Sequence, residues 1–173
     1  MQLNFSPFPS LNTNRLLLRQ LQISDGAEIF ALRSNPENAV YLDRPLAKDL
    51  EEALDFINQI NTHISNNALI FWAIAPSKEK RVLGTICLWP IDPKNASAEI
   101  GYELHPDFQG QGYVQEAIPA VIQYGFKVME LEWINATVSP QNIKSIKLLE
   151  KFQFNLAGPG EESGTVLYQL KKF

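Results

Sequence analysis

Residues 98–127, AEIGYELHPDFQGQGYVQEAIPAVIQYGFK, are the segment from which the fold can be worked out. The first seven residues alternate as in a strand, with Glu99, Gly101 and Glu103 on one face and Ile100, Tyr102 and Leu104 on the other. Pro106-Asp107 makes a turn, Gly110 and Gly112 lie in a loop, and from Val114 onward Ala117, Ile118, Val121, Ile122 and Phe126 recur at helical spacing. A glycine-rich turn that feeds a helix presents unpaired backbone N–H groups at the positive end of the helix dipole, which suits phosphate oxygens. Glycine matters there because the main chain has to approach an anion closely. The same pattern also serves as a plain tight connection, so this segment alone leaves both readings open. Pro119 falls inside the helix and removes the bond to the Gln115 carbonyl, at a cost of about 3 kcal/mol. A kink is expected there, with that carbonyl turned to solvent.

Upstream, residues 69–75 and 82–89 are apolar runs around a charged turn and read as a hairpin. Residues 48–64 form an amphipathic helix, in which Leu50, Ala53, Leu54, Ile57 and Ile60 share a face and Asp49, Glu51 and Glu52 fill the first turn. Ser24-Asp25 offers a cap for a short helix that ends before Asn35-Pro36. Residues 15–21 read as a strand, residues 1–14 as an extended leader, and residues 38–46 as a loop carrying Tyr41, Asp43, Arg44 and Pro45. Downstream, residues 133–138 are a strand, residues 143–152 a helix opened by Ser139-Pro140-Gln141-Asn142, and residues 154–156 and 165–170 a last hairpin. The order predicts a mixed α+β fold with helices on both faces of a sheet.

The chain has 173 residues, so one domain over residues 1–173 is expected, burying about 70% of its unfolded surface. A net charge of −4 argues against a nucleic-acid-binding body, which usually carries a basic stripe. Nothing approaches an 18-residue apolar run, and the first residues lack a signal-peptide pattern, so no membrane span and a cytoplasmic protein are expected. The lone cysteine, Cys87, cannot form an internal disulfide, which fits a reducing compartment. Flanked by Ile86 and Leu88, it reads as core rather than as a nucleophile. His63 and His105 are isolated, and no metal site is expected.

Beyond these local readings, Gln109-Gly110-Gln111-Gly112-Tyr113-Val114 resembles the Q/R-x-x-G-x-G/A loop of the GCN5-related N-acetyltransferase (GNAT) superfamily, which cradles the pyrophosphate of acetyl-coenzyme A. Asn12 to Arg19 is similar to the L-x-T-x-R-L-x-L-R start of the ribosomal-protein (RimJ/RimL-type) branch. Ile100 to Pro106 and Gly112 to Ala117 resemble its IGY-x-L-x-P and GY-A-x-EA segments. Ser139 to Phe154 resembles its N-x-x-S-x-x-L-x-E-K-x-G-F block. The resemblance implies a mostly antiparallel, twisted central sheet of six to seven strands, in which residues 99–104 splay from residues 133–138. Two departures stand out. Val114 replaces Gly or Ala beside the phosphate loop, and Gln153 replaces a glycine, with about 1–2 kcal/mol of strain if that position needs positive φ.

By the resemblance the activity is acetyl transfer from acetyl-CoA to a primary amine, and no metal is implied. Gln109, Gly110, Gln111, Gly112, Tyr113 and Val114 would hold the pyrophosphate, the strand with Tyr102 and Leu104 would pair with the pantetheine arm, and a backbone N–H near Tyr102 or Glu103 would polarise the thioester carbonyl. Asn142 matches a pantetheine contact, with a helix cap as the alternative role. Ser145 matches the serine proposed to protonate the leaving thiolate, the alternative being a solvent-facing position. Glu99 or Glu103 could be a general base, directly or through water, or simply line a half-exposed sheet face. Glu116 reads as a packing or dipole residue, and Glu161 and Glu162 as turn residues near the acceptor mouth. Tyr41, Arg44 and Trp89 are the candidate acceptor-binding residues. A protein N-terminal amine suits the ribosomal-protein branch; a polyamine, amino acid or drug amine, and a non-catalytic acyl-CoA-binding module, are the rivals. A monomer or a homodimer both fit.

Overall fold

The computed structural model describes residues 1, 3–42 and 44–172, so Asp43 of the predicted acceptor loop lies outside the described residues. The elements are β1 (Leu11–Asn12), β2 (Leu16–Arg19), α1 (Gly26–Ser34), α2 (Pro36–Ala39), α3 (Leu50–Ser65), β3 (Ile70–Pro76), β4 (Gly84–Asp92) and β5 (Ser97–Leu104). They continue with α4 (Tyr113–Lys127), β6 (Trp133–Val138), α5 (Ile143–Lys151), β7 (Asn155–Pro159) and β8 (Val166–Lys171). One eight-stranded sheet runs β1-β2-β3-β4-β5-β6-β8-β7. Every neighbouring pair is antiparallel except β5 and β6, which are parallel. The fold is therefore mixed α+β, and its eighth strand is the two-residue β1 inside the predicted leader.

Local chemistry sets the element ends. Asp49 stays extended and its side chain accepts from Glu52 N, so α3 begins at Leu50 rather than at Lys48. Asn35-Pro36 does end α1, but it also starts α2: the Asn35 side chain accepts from Glu37 N, and Pro36 sits at the first turn, where its missing N–H is harmless. Part of the predicted loop is helical for that reason. α4 continues unbroken through Pro119, and both Pro119 and Gln115 are exposed, so the carbonyl that loses its partner belongs to a residue in contact with water.

Adjacent strand residues point to opposite faces, and β3 shows what covers each one. Phe71 meets Phe56 of α3 edge-on, with ring centroids 5.7 Å apart, whereas Trp72 meets Tyr124 of α4 at 5.4 Å. Leu88 of β4 and Ile134 of β6 also meet α4, at Gly125. Tyr168, opposite Ala136 and hence on the Ile134 face, bonds Glu150 of α5 at 3.3 Å. So α4 and α5 cover one face, and α3, with α1 packed on it, covers the other. Trp72 is fully buried and its Nε1 donates to Pro9 O at 2.7 Å, which pins the leader to the α4 face.

The two departures resolve differently. Val114 is partly buried and packs against the core, so its branched side chain is turned away from the loop. Gln153 sits at φ +65°, the left-handed conformation the missing glycine would adopt easily. Replacing it by glycine (Gln153→Gly) is expected to raise stability by roughly 0.5–1 kcal/mol, the left-handed strain outweighing the extra freedom of the unfolded chain. Urea denaturation of the two proteins measures the difference, and a loss of stability would show that Gln153 is unstrained.

Candidate active site

β5 and β6 pair only at Ser97↔Trp133, Ala98↔Ile134 and Glu99↔Asn135, although β5 continues to Leu104 and β6 to Val138. β4 covers the other edge of β5 from Ile100 to Leu104, and β8 covers the other edge of β6 as far as Val138. Beyond Glu99 the two facing edges therefore diverge with their main-chain groups unpaired, an arrangement that can take an amide-bearing chain as an added strand. At the point of divergence the Glu99 carboxylate accepts from Thr137 N at 3.2 Å and from Thr137 Oγ1 at 3.1 Å. Burial pushes the Glu99 carboxyl above its ordinary range; the Thr137 donors oppose that, and Glu162 and Glu161 add to the rise.

The strand end delivers the glycine loop. Gly110 and Gly112 have φ of +75° and +79°, and Gly112 is the N-cap of α4 with no side chain capping the helix. The amides of Gly110, Gln111 and Gly112 have no partner among the described residues. The glutamine side chains instead shape the loop: Gln109 Nε2 donates to Leu104 O and Gln111 Nε2 to Asp107 O, both at 3.1 Å. A cluster of uncapped amides at a helix start, with open space around Gly110, fits a phosphate-bearing group. The side of the loop next to β2 is occupied by Arg15, whose guanidinium lies 4.7 Å above the Tyr113 ring and donates twice to Gln111 O at 3.2 Å. Sequence reading placed Arg15 in a motif without giving it this contact.

Asn142 caps α5, its Oδ1 accepting from Ser145 N at 3.2 Å, so the cap role is present and the amide nitrogen remains as a donor. Ser145 is not solvent-facing; its Oγ lies 2.6 Å from the Tyr102 hydroxyl. Burial raises the Tyr102 phenol, with the Ser145 bond opposing the shift. This hydroxyl pair escaped sequence reading, because 43 residues separate its members and only the alternation of β5 hinted at where Tyr102 points.

Glu99 and Glu103 share a strand face, but their surroundings differ. Glu103 is ion-paired with Arg44, whose Nη1 also donates to Arg33 O at 3.0 Å. Burial raises the Glu103 carboxyl while Arg44 and Arg33 pull it down. Of the predicted acceptor residues, then, Arg44 turns inward to a strand carboxylate. Tyr41 bonds Gln141 O at 3.4 Å and lines an open cleft of about 300 Å³ with Val40, Leu42, Ser139 and Glu162. Trp89 stands apart, more than half exposed, where the β4–β5 register shifts. Burial pushes the Cys87 thiol up to about 12, which makes it a poor nucleophile. Among the described residues no group of three His, Cys, Asp or Glu side chains could hold a metal, and no helix is long and apolar enough to cross a membrane.

Residues 15–155 match a family model described as an acetyltransferase (GNAT) domain. The chain is 35% identical over 151 residues to the uncharacterised N-acetyltransferase YoaA of Bacillus subtilis, covering 87% of this chain and 85% of that one. It is 27% identical over 143 residues to a spermidine N(1)-acetyltransferase of Vibrio cholerae, covering 82% and 79% of the two chains. Among solved structures, the ribosomal alpha-N-protein acetyltransferase RimL in complex with coenzyme A has the same fold, with a TM-score of 0.84 at 18% identity over 94% of this chain and 98% of that one. The matched region takes in the diverging strands, the glycine loop and α5 alike, and the chain belongs to the GNAT family of N-acetyltransferases.

Proposed function

We propose that the acceptor is an α-amine at a protein or peptide N-terminus, as in the RimJ/RimL-type branch, acetylated from acetyl-CoA in the cytoplasm. The observation that carries this reading is the state of the two strand carboxylates: Glu103 is neutralised by Arg44, and Glu99 is occupied by Thr137. Neither is a freely available strong base. An α-amine (pKa about 7.7–8.0) is already roughly a tenth neutral at pH 7, whereas a lysine-type amine (about 10.4) is neutral in about one part in two thousand. The first needs a proton exit; the second needs a base. Glu99, raised by burial and set at the mouth of the gap, suits the lesser task.

Bound acetyl-CoA supplies an activated acyl group as a thioester. The uncapped amides of residues 110–114 would hold its diphosphate, the open edge of β5 its pantetheine amides, and Asn142 Nδ2 a pantetheine oxygen. Tyr102 and Ser145 share a hydrogen bond in which either hydroxyl can donate; with the raised Tyr102 phenol as the donor, the serine proton would be left to be given up on the gap side. Glu99 takes the proton shed by the amine, directly or through water.

An acceptor screen with acetyl-CoA tests the reading. Peptides beginning with Ala or Ser are expected to give at least tenfold higher kcat/KM than polyamines or free amino acids; the reverse order would assign a small-amine acceptor. Ser145→Ala should lower kcat by about 100-fold while leaving KM for acetyl-CoA within about twofold. Tyr102→Phe should lower kcat less, and wild-type turnover in the serine variant would remove the relay. Because the Glu99 carboxyl is raised, it becomes anionic only above the usual glutamate range, so kcat/KM should climb with pH through that elevated value. The same shift means that the stability contributed below the unfolded-state value is lost as pH rises through the folded-state one. Glu99→Gln should flatten both trends, and an unchanged acid limb would exclude Glu99 as the proton acceptor.

A further inference from the structure

Thr13, Arg15 and Glu116 form a cluster that links the β1–β2 turn to the first turn of α4. Thr13 Oγ1 and Arg15 N both donate to Glu116 Oε1 at 2.6 Å, and Arg15 Nε donates to Glu116 Oε2 at the same distance. On its other side Arg15 O accepts from Ser77 N at 2.9 Å. Arg15 is thus held firmly although its side chain is 45% exposed, and Glu116 is only 19% exposed. Burial alone would raise the Glu116 carboxyl, but the donors from Thr13 and Arg15 outweigh it and leave Glu116 below its usual value, so this carboxylate stays charged. Three close donors on one carboxylate amount to more than a complement to the helix dipole.

What this clamp holds is a carbonyl. With Nε fixed by Glu116, the two terminal nitrogens of Arg15 both reach Gln111 O. Gln111 O belongs to the same peptide as Gly112 N–H, that peptide is trans, and in a trans peptide the C=O and N–H point in opposite directions. With Gly112 (φ +79°) bordering it on the C-terminal side, this peptide would otherwise rotate cheaply between orientations. Fixing the carbonyl toward Arg15 turns the Gly112 amide outward, to the side where the helix start is uncapped.

We propose that Arg15 is a positioning residue for the anion-binding loop: clamped by Glu116, it sets the Gln111–Gly112 peptide so that the Gly112 amide faces the diphosphate. The inference rests on residues 110–114 being the diphosphate loop. Arg15 acts here as an orienting donor whose charge is already matched by Glu116, not as a free cation for phosphate.

Calorimetric titration of the full chain with CoA and with pantetheine, which lacks the diphosphate, tests it. Arg15→Gln is expected to weaken CoA binding by about tenfold, the worth of one well-placed donor, and pantetheine binding by less than about twofold. Arg15→Lys, which keeps one donor for Gln111 O, should recover part of the loss. Glu116→Gln, which loosens the clamp, should also weaken CoA binding. Unchanged CoA affinity in Arg15→Gln, equal losses for both ligands, or tighter CoA binding once Arg15 is freed by Glu116→Gln would each overturn the proposal. Should the unsubstituted chain bind CoA no better than pantetheine, the diphosphate reading of the loop falls, and the role of Arg15 with it.

Discussion

The structure depends on a parallel strand pair that is allowed to form only three pairings. Among the described residues β5 and β6 are the one parallel junction in an otherwise antiparallel sheet, and they separate after Glu99 and Asn135. A sheet does not open for nothing, because unpaired main-chain groups that lose water cost free energy comparable to a broken hydrogen bond. Here the opening is supported from both sides. β4 and β8 hold the outer edges of the two strands along their length, and α4 fixes β3, β4 and β6 through Tyr124 and Gly125. Within the gap Glu99 reaches across to take the Thr137 N–H that the neighbouring strand can no longer take. The exposed edge is thereby shortened to the part that a ligand can use.

The two faces of β5 then carry different chemistry. Toward α4 and α5 lies Tyr102, whose hydroxyl meets Ser145 across the gap. Toward α1 and α3 lie Glu99 and Glu103, both raised by burial, the first opposed by the Thr137 donors and the second by Arg44 and Arg33. One strand thus presents a hydroxyl pair on one side and carboxylates on the other, and the alternation of a pleated chain is enough to keep them apart. Cys87, flanked on the same face and pushed up to about 12, takes no part in either.

Much of this was legible from residue patterns. Periodicity located β5, α3 and α4 to within two residues, because each buries a continuous apolar face that local sequence has to encode. The glycines of the loop were legible as a turn feeding a helix, whereas the left-handed position of Gln153 was signalled only by the family resemblance, which has a glycine there. The pairings that give the site its chemistry were not. Tyr102 with Ser145, Arg44 with Glu103, and Arg15 with Gln111 join residues 43, 59 and 96 positions apart, and only the sheet order brings them together. α2 was missed because Asn35-Pro36 has the same residues whether it ends one helix or begins the next.

The order of strands in the sheet also bears on how the chain acquires its site during synthesis. β6 is flanked on its outer side by β8, which follows β7 in sequence yet lies inside it in the sheet. The wall of the gap opposite β5 is therefore completed only when residues 166–171 have emerged from the ribosome and slotted between two earlier strands. A nascent chain that has produced everything through α5 already holds the loop, the hydroxyl pair and both carboxylates, yet its sixth strand still has a bare flank. That flank closes only once β8 has joined the sheet.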